Sequence, residues 1–196
     1  DPVDPTAAVL EVAIDSCGPS LEDRAVAISI GDGLALTAAH SFDDARSVGL
    51  RTGADGGQIV AEVVFLDRER DIALLAFEGG NMASGVRRGL DIRSDADSPA
   101  DAARMVVRRD GEWTITEVGI VARTLVTLDG AGRRDGMELA AVIEPGDSGA
   151  PVIDDEGRVI AMVFAANRDG ETGWAIAASE LVSIADRAGD PVPLGC

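Results

Sequence analysis

Short apolar runs of strand type, each closed by a turn signal, fill this chain almost from end to end and leave few folds open to it. AVLEVAI (Ala8 to Ile14), AVAISI (Ala25 to Ile30) and LALTAA (Leu34 to Ala39) are separated by CGPS and GDG. Runs of this length and composition, bounded by Gly, Pro and Asp, are the pattern of strands. SVGLRT, QIVAEVVFLD and DIALLAF carry the series to Phe77. A stretch of small and polar residues follows, from Glu78 to Asp101. The second series is ARMVVRRD, EWTITEVGIVARTLVTLD, MELAAVIE, APVIDD, RVIAMVFAA and GWAIAA. The pairs Asp110–Gly111, Asp129–Gly130 and Glu156–Gly157 punctuate it as hairpin turns. Only the end has helical spacing: Leu181, Ile184, Ala185 and Ala188 share a face, with Ser179 as N-cap.

Two sets of strands, one linker and a closing helix predict an all-β fold of two packed antiparallel barrels. The expected division is an N-terminal barrel over residues 1–85, a linker over 86–101, and a C-terminal barrel with helix and tail over 102–196.

Composition narrows the chemistry. Seventeen basic residues against 35 acidic ones give a net charge of −18, which repels nucleic acid and anionic lipid surfaces. No nucleic-acid partner is expected. Every basic residue is Arg, so a P-loop lysine, a Schiff base and a Ser–Lys dyad are all excluded. One His and two distant Cys argue against a structural zinc site, and no metal or cofactor is expected. No apolar run approaches the ~18 residues of a membrane span, so this domain is not expected to cross a membrane. The start DPVDPT reads as a processing boundary, with a targeting segment ahead of it. Cys17 and Cys196 allow a single intramolecular pair, which would close a long loop and stabilise by about 2–5 kcal/mol. Such a pair implies an oxidising compartment; two free thiols are the alternative.

Three motifs carry chemistry: LTAAH ending at His40, DIALL opening at Asp71, and PGDSGAPV around Ser148. Each has a plain structural reading alone, as a strand-end His, a turn Asp and a hairpin turn. Together they supply a hydroxyl nucleophile, the only imidazole base in the chain, and a carboxylate to orient it.

In these motifs and their order the chain resembles the chymotrypsin-like (trypsin-fold) serine proteases. The resemblance implies two six-stranded barrels and a serine endopeptidase that cleaves protein or peptide substrates through an acyl-enzyme on Ser148. His40, Asp71 and Ser148 would be its catalytic residues, and the N–H groups of Gly146 and Ser148 its oxyanion hole. The primary substrate pocket would have its base near Val142 and walls at Ala166 and Gly173. With no acid at Val142, an apolar residue before the scissile bond is expected. The tail RVIAMVFAANRDGETGWAIAASEL resembles the last strands and final helix of bacterial envelope members, the HtrA-like group and most nearly the actinobacterial MarP-type periplasmic protease domain. The MarP type pairs a Cys after its first strand with a C-terminal Cys and follows a membrane segment. This implies a Cys17–Cys196 disulfide, a membrane anchor in the parent protein, and a periplasmic, envelope-associated or secreted location.

Departures from the family pattern set further questions. Ser41 stands where digestive members have a Cys. The N-terminus is not of the Ile-Val-Gly-Gly type, so no zymogen switch is expected and the partner of Asp147 is left open. Phe164 stands where the family places a Ser beside the triad Asp. A catalytically silent protease-fold binding module is the alternative function. A non-peptidase acyl hydrolase fits poorly, because its nucleophile elbow belongs to a different strand order.

Overall fold

A computed structural model describes residues 3–18, 24–52, 57–78, 84–93, 103–127, 132–168 and 170–195. Each of the twelve apolar runs becomes one strand. β1 (Val9–Ser16), β2 (Arg24–Gly31), β3 (Leu34–Thr37), β4 (Ala45–Arg51), β5 (Ile59–Asp67) and β6 (Ile72–Phe77) close into a barrel ordered β1-β2-β3-β6-β5-β4. β7 (Ala103–Arg109), β8 (Glu112–Thr127), β9 (Arg133–Ala140), β10 (Pro151–Ile153), β11 (Val159–Ala166) and β12 (Gly173–Ala177) close into a second, ordered β10-β11-β12-β9-β8-β7. Among the described residues every strand pairing is antiparallel, as expected for two packed antiparallel barrels.

The uninterrupted apolar character of β2, β3 and β6 has a direct cause: these strands are buried on both faces. Ala25 and Ala27 on β2, Ala35 on β3, and Ala73 and Leu75 on β6 pack inside the first barrel with Leu10, Leu50 and Phe42. Their alternate neighbours, Val26, Ile28, Leu36, Ile72 and Leu74, point the other way and join Val106, Leu139, Val152, Val163 and Leu181 of the second barrel. The seam between barrels is therefore continuous with the second core. The active-site motifs lie at the ends of the strands that make it.

Three elements differ from the sequence expectation. The closing helix is short: α2 (Ala178–Leu181) runs directly out of β12 and is capped by Ala177 without a side-chain bond. Ser179 instead donates to the Asp135 carboxylate at 3.2 Å. Leu181 and Ile184 bury as the spacing predicts, but the chain passes into a 3-10 turn at Ala185–Arg187. A short helix, α1 (Ser84–Arg88), interrupts the small-residue stretch; a Cβ at Gly85 would come within 2.7 Å of Ala7, so only Gly lets α1 dock there. β9 begins at Arg133, well before the apolar run MELAAVIE, because its first inward residue is the fully buried Arg134 rather than an apolar one. Asp110 and Gly111 both take positive φ, 52° and 86°, as a two-residue hairpin requires. The Asp129–Gly130 pair lies outside the described residues, as do residues 94–101 of the expected linker.

Candidate active site

The pairing of β3 with β6 brings His40 and Asp71 together. Thr37 lies opposite Ala73, and the ladder continues past both strand ends with a bond from the Ala39 N–H to the Asp71 carbonyl at 3.3 Å. His40 sits in the 3-10 turn Ala39–Phe42 that follows β3. Asp71 ends the tight turn from β5, where the Asp67 carboxylate caps the Arg70 N–H at 2.9 Å.

Asp71 occupies the left-handed region at φ 60°, a conformation costing about 1 kcal/mol for an L-residue. That backbone turns its buried carboxylate back onto His40. One oxygen accepts the His40 backbone N–H at 2.8 Å, and the other lies 2.8 Å from Nδ1. The ring is thus held at two points, and Nδ1 is fixed as the donor by an acceptor-only carboxylate. The opposite ring nitrogen, Nε2, is 3.0 Å from the Ser148 Oγ. The three side chains singled out in the sequence are joined in one line across the barrel seam.

Ser148 is positioned by both barrels. Its carbonyl accepts the Val26 N–H of β2 at 2.8 Å, and the next residue, Gly149, donates to Val163 on β11 at 2.8 Å. Gly149 has φ 88°, and a Cβ there would stand 1.9 Å from the Val26 carbonyl oxygen. Only glycine permits that approach. Gly146 also takes a positive φ, 95°, where the Glu144–Asp147 turn closes by a 3.0 Å bond from the Asp147 N–H to the Glu144 carbonyl.

The partner of Asp147, left open by the sequence, is Arg109 at the end of β7. Its two terminal nitrogens donate to the two carboxylate oxygens at 2.7 and 2.8 Å, a bidentate fork. The Glu144 N–H adds a third donor at 2.9 Å. The bonds to Asp147 raise the Arg109 value further above the usual arginine range. Beside this fork a pocket of about 250 Å³ opens behind the Gly146 turn, lined by Glu11, Arg24, Arg108, Trp113 and Glu144 among others. Glu11, buried on β1, is paired with Arg108 of β7 and, at 3.4 Å, with Arg51, so charge also ties the two barrels there.

The residues expected to line the substrate pocket are spread differently. Val142 is exposed, at 59%, and Ala166 is exposed at the end of β11, whereas Gly173 is buried. A Cβ at Gly173 would lie 2.1 Å from Ile143 Cγ1, so the Ile143 side chain occupies the space in front of it. Sequence reasoning passed over Ile143, though it neighbours Val142, and over Arg109. An Arg on a strand reads as solvent-facing until its partner is known.

Cys17 is a disulfide cysteine; Cys196 lies outside the described residues. Among the described residues, no cluster of His, Cys, Asp and Glu could hold a metal, and no helix is long and apolar enough to cross a membrane.

Comparison with known proteins agrees with this geometry. Over 152 residues the chain is 34% identical to Protease Do-like 2, chloroplastic, of Arabidopsis thaliana, covering 74% of this chain and 24% of that protein. Over 63 residues it is 41% identical to serine protease Rv3671c of Mycobacterium tuberculosis, covering 32% and 16%. The chain thus spans about a quarter or less of the length of these curated relatives. The crystal structure of the Rv3671c protease in its active form superposes with a TM-score of 0.82 at 24% identity, over 98% of this chain and 86% of that one. HtrA-type protease AlgW with a tripeptide gives a TM-score of 0.76 at 23% identity, over 92% and 60%. These two are likenesses of fold. The decisive match is to a family and covers residues 25–162, a span that holds His40, Asp71 and Ser148. This chain belongs to the trypsin-like peptidase domain family.

Proposed function

We propose that the chain is a serine endopeptidase with His40, Asp71 and Ser148 as its catalytic triad. The observation that carries this is the unbroken line Asp71 Oδ2 to His40 Nδ1 at 2.8 Å and His40 Nε2 to Ser148 Oγ at 3.0 Å. In the reaction, Ser148 Oγ attacks the scissile carbonyl while Nε2 takes its proton. Asp71 keeps Nδ1 protonated and stabilises the imidazolium. The imidazolium then protonates the leaving amine, leaving the acyl group on Ser148, and a water activated by His40 releases it. The N–H groups of Gly146 and Ser148 would receive the oxyanion; one such donor is typically worth about 2.7–4 kcal/mol.

The substrate class is protein or peptide. Val142, Ala166 and Gly173 would border the residue before the scissile bond, and with no acid at Val142 and Ile143 lying against Gly173 an apolar residue is favoured there. We place the two functional units at residues 1–85 and 102–196, joined through 86–101. The net charge of −18 disfavours a nucleic-acid partner. A Cys17–Cys196 bridge would be consistent with Cys17 being disulfide-bonded. That chemistry favours an extracytoplasmic setting, periplasmic, envelope-associated or secreted, whether or not the parent protein is membrane-anchored.

A fluorophosphonate probe tests the central point. Ser148 should carry the adduct in the native protein, and Ser148→Ala should lose both label and turnover while keeping its melting temperature. An unlabelled Ser148, under conditions that label a control protease, would make the chain a silent binding module instead.

A further inference from the structure

Arg134 is the anomaly of this molecule. It is 1% exposed, among the largest fully buried side chains, and none of its three guanidinium nitrogens has a hydrogen-bond partner. Burying a charge without partners is strongly unfavourable, and replacing such a group by an apolar one of similar shape tends to stabilise. Burial pulls the guanidinium down from the arginine range, and the carboxylates of Asp71, Asp67 and Glu180 act against that pull. Fold stability does not account for its presence.

Its surroundings do. The guanidinium carbon lies 5.1 Å from the centre of the Phe164 ring, within range of a cation–π contact. Phe164 occupies the irregular step in the β11–β12 pairing between Val163 and Ala165. It is the residue that stands where the family has a Ser able to bond the triad Asp. Arg134 is the second residue of β9 and lies opposite Val126. A Cβ at Gly132, just before β9, would lie 3.8 Å from Glu69, so this end of β9 abuts the turn that delivers Asp71.

Three carboxylates act on Arg134, and two of them have another cation beside them. Asp67 and Glu180 lie 4.0 and 3.6 Å from Arg70 and are part-exposed, and Glu180 also accepts the Asp135 N–H at 3.0 Å. Asp71 alone is buried, at 2%, and its oxygens are directed to His40. It is also the first of the three in strength at Arg134.

We propose that Arg134 is a positioning residue of the triad: a guanidinium seated on the Phe164 ring compensates the buried Asp71 carboxylate through space, replacing the hydrogen bond of the missing Ser. The same charge opposes protonation of His40 and keeps the imidazole neutral, and so able to act as a base, at lower pH. The proposal rests on the triad reading above, and its test separates the two.

The chain has one histidine, so protein labelled with ¹³C-histidine gives a single imidazole titration by NMR. In Arg134→Met the midpoint should move up by about one pH unit, a tenfold change in proton affinity. Arg134→Lys should stay near the parent. The acidic limb of kcat/KM should follow the NMR midpoint. A merely structural arginine would lower the melting temperature in Arg134→Met without moving the midpoint. If Arg134→Met does not fold, Arg134→Gln carries the same titration. A midpoint that stays put in a folded Met or Gln variant whose Ser148 still takes the fluorophosphonate overturns this proposal and leaves the triad standing. Failure of the parent to label overturns the protease reading itself, whatever the titration shows.

Discussion

Arg109→Met is the most informative single change outside the triad. The Asp147 side chain is 3% exposed and accepts both arms of the Arg109 fork plus the Glu144 N–H. Removing one partner of a fully buried ion pair costs about 3–5 kcal/mol. Arg109 is 29% exposed, so solvent already screens part of that, and about 2–3 kcal/mol is the appropriate figure. The chain can relieve the penalty by turning the Asp147 carboxylate out to water. Gly146 and Ser148 flank Asp147, so that movement would carry both proposed oxyanion donors away from the reacting carbonyl. If the clamp supplies this much bias toward the assembled turn, kcat/KM falls by about 30- to 150-fold. The melting temperature should change little, because the opening is local. Arg109→Lys should fall between, since an ammonium supplies charge without the planar fork. The bonds to Asp147 raise the Arg109 value. Its stabilisation is therefore present throughout the range below the ordinary arginine value and is lost only above it. The defect should accordingly be equal at about pH 6 and about pH 8. The assay is kcat/KM on a fluorogenic peptide, run beside the fluorophosphonate labelling rate. An Arg109→Met protein within about threefold of the parent in both would refute the argument that this ion pair holds the turn.

Asp71→Asn should keep the fold yet lower kcat by about 10⁴, because the amide no longer fixes the His40 tautomer, as turnover and circular dichroism together would report. Gly149→Ala forces a Cβ to 1.9 Å from the Val26 carbonyl at φ 88°; a loss of more than about 3 kcal/mol in denaturant unfolding is expected. Ile143→Ala removes the side chain in front of Gly173, and a peptide-library profile should shift toward larger apolar residues before the cleaved bond by about 10-fold or more. Reduction should lower the melting temperature, corresponding to about 2–5 kcal/mol for a bridge from Cys17 to the C-terminus. Intact mass should show two hydrogens gained.

Much of this architecture was legible in the sequence, for reasons that lie in particular residues. AVAISI and DIALL betray strands buried on two faces because both sides of each meet apolar neighbours, and the seam they build is where His40 and Asp71 emerge. Gly149 announces itself because the loop packs too closely on β2 for any side chain. The helix at Ser179 was legible only as an apolar face: its length depends on how β12 hands the chain over at Ala177, which spacing does not encode. β9 was foreseen from Met137 on and missed from Arg133 to Gly136, because a buried Arg134 breaks the inward apolar pattern at the position that most needs explaining. The partner of Asp147 was illegible for a related reason. Arg108 and Arg109 end a strand before a hairpin, where basic residues are commonplace, and nothing local marks one for a carboxylate 38 positions away.

Arg109 and Arg134 are two solutions to one problem. The reaction centre places two nearly dry carboxylates, Asp71 and Asp147, on either side of Ser148, in a protein whose net charge is −18. A buried carboxylate without a compensating partner is costly, and swinging out to water would dismantle the site. Asp147 must stay in place so that its turn keeps its shape, and it is held by a directional fork. Asp71 must leave its lone pairs to His40, so a second forked donor would compete with the imidazole for the same oxygens. A cation that is near, buried and bound to an aromatic face in place of the carboxylate supplies charge without that competition. The fork from β7 and the unbonded guanidinium on β9 therefore differ because the two acids have different work to do, and both cations come from the barrel that carries Ser148.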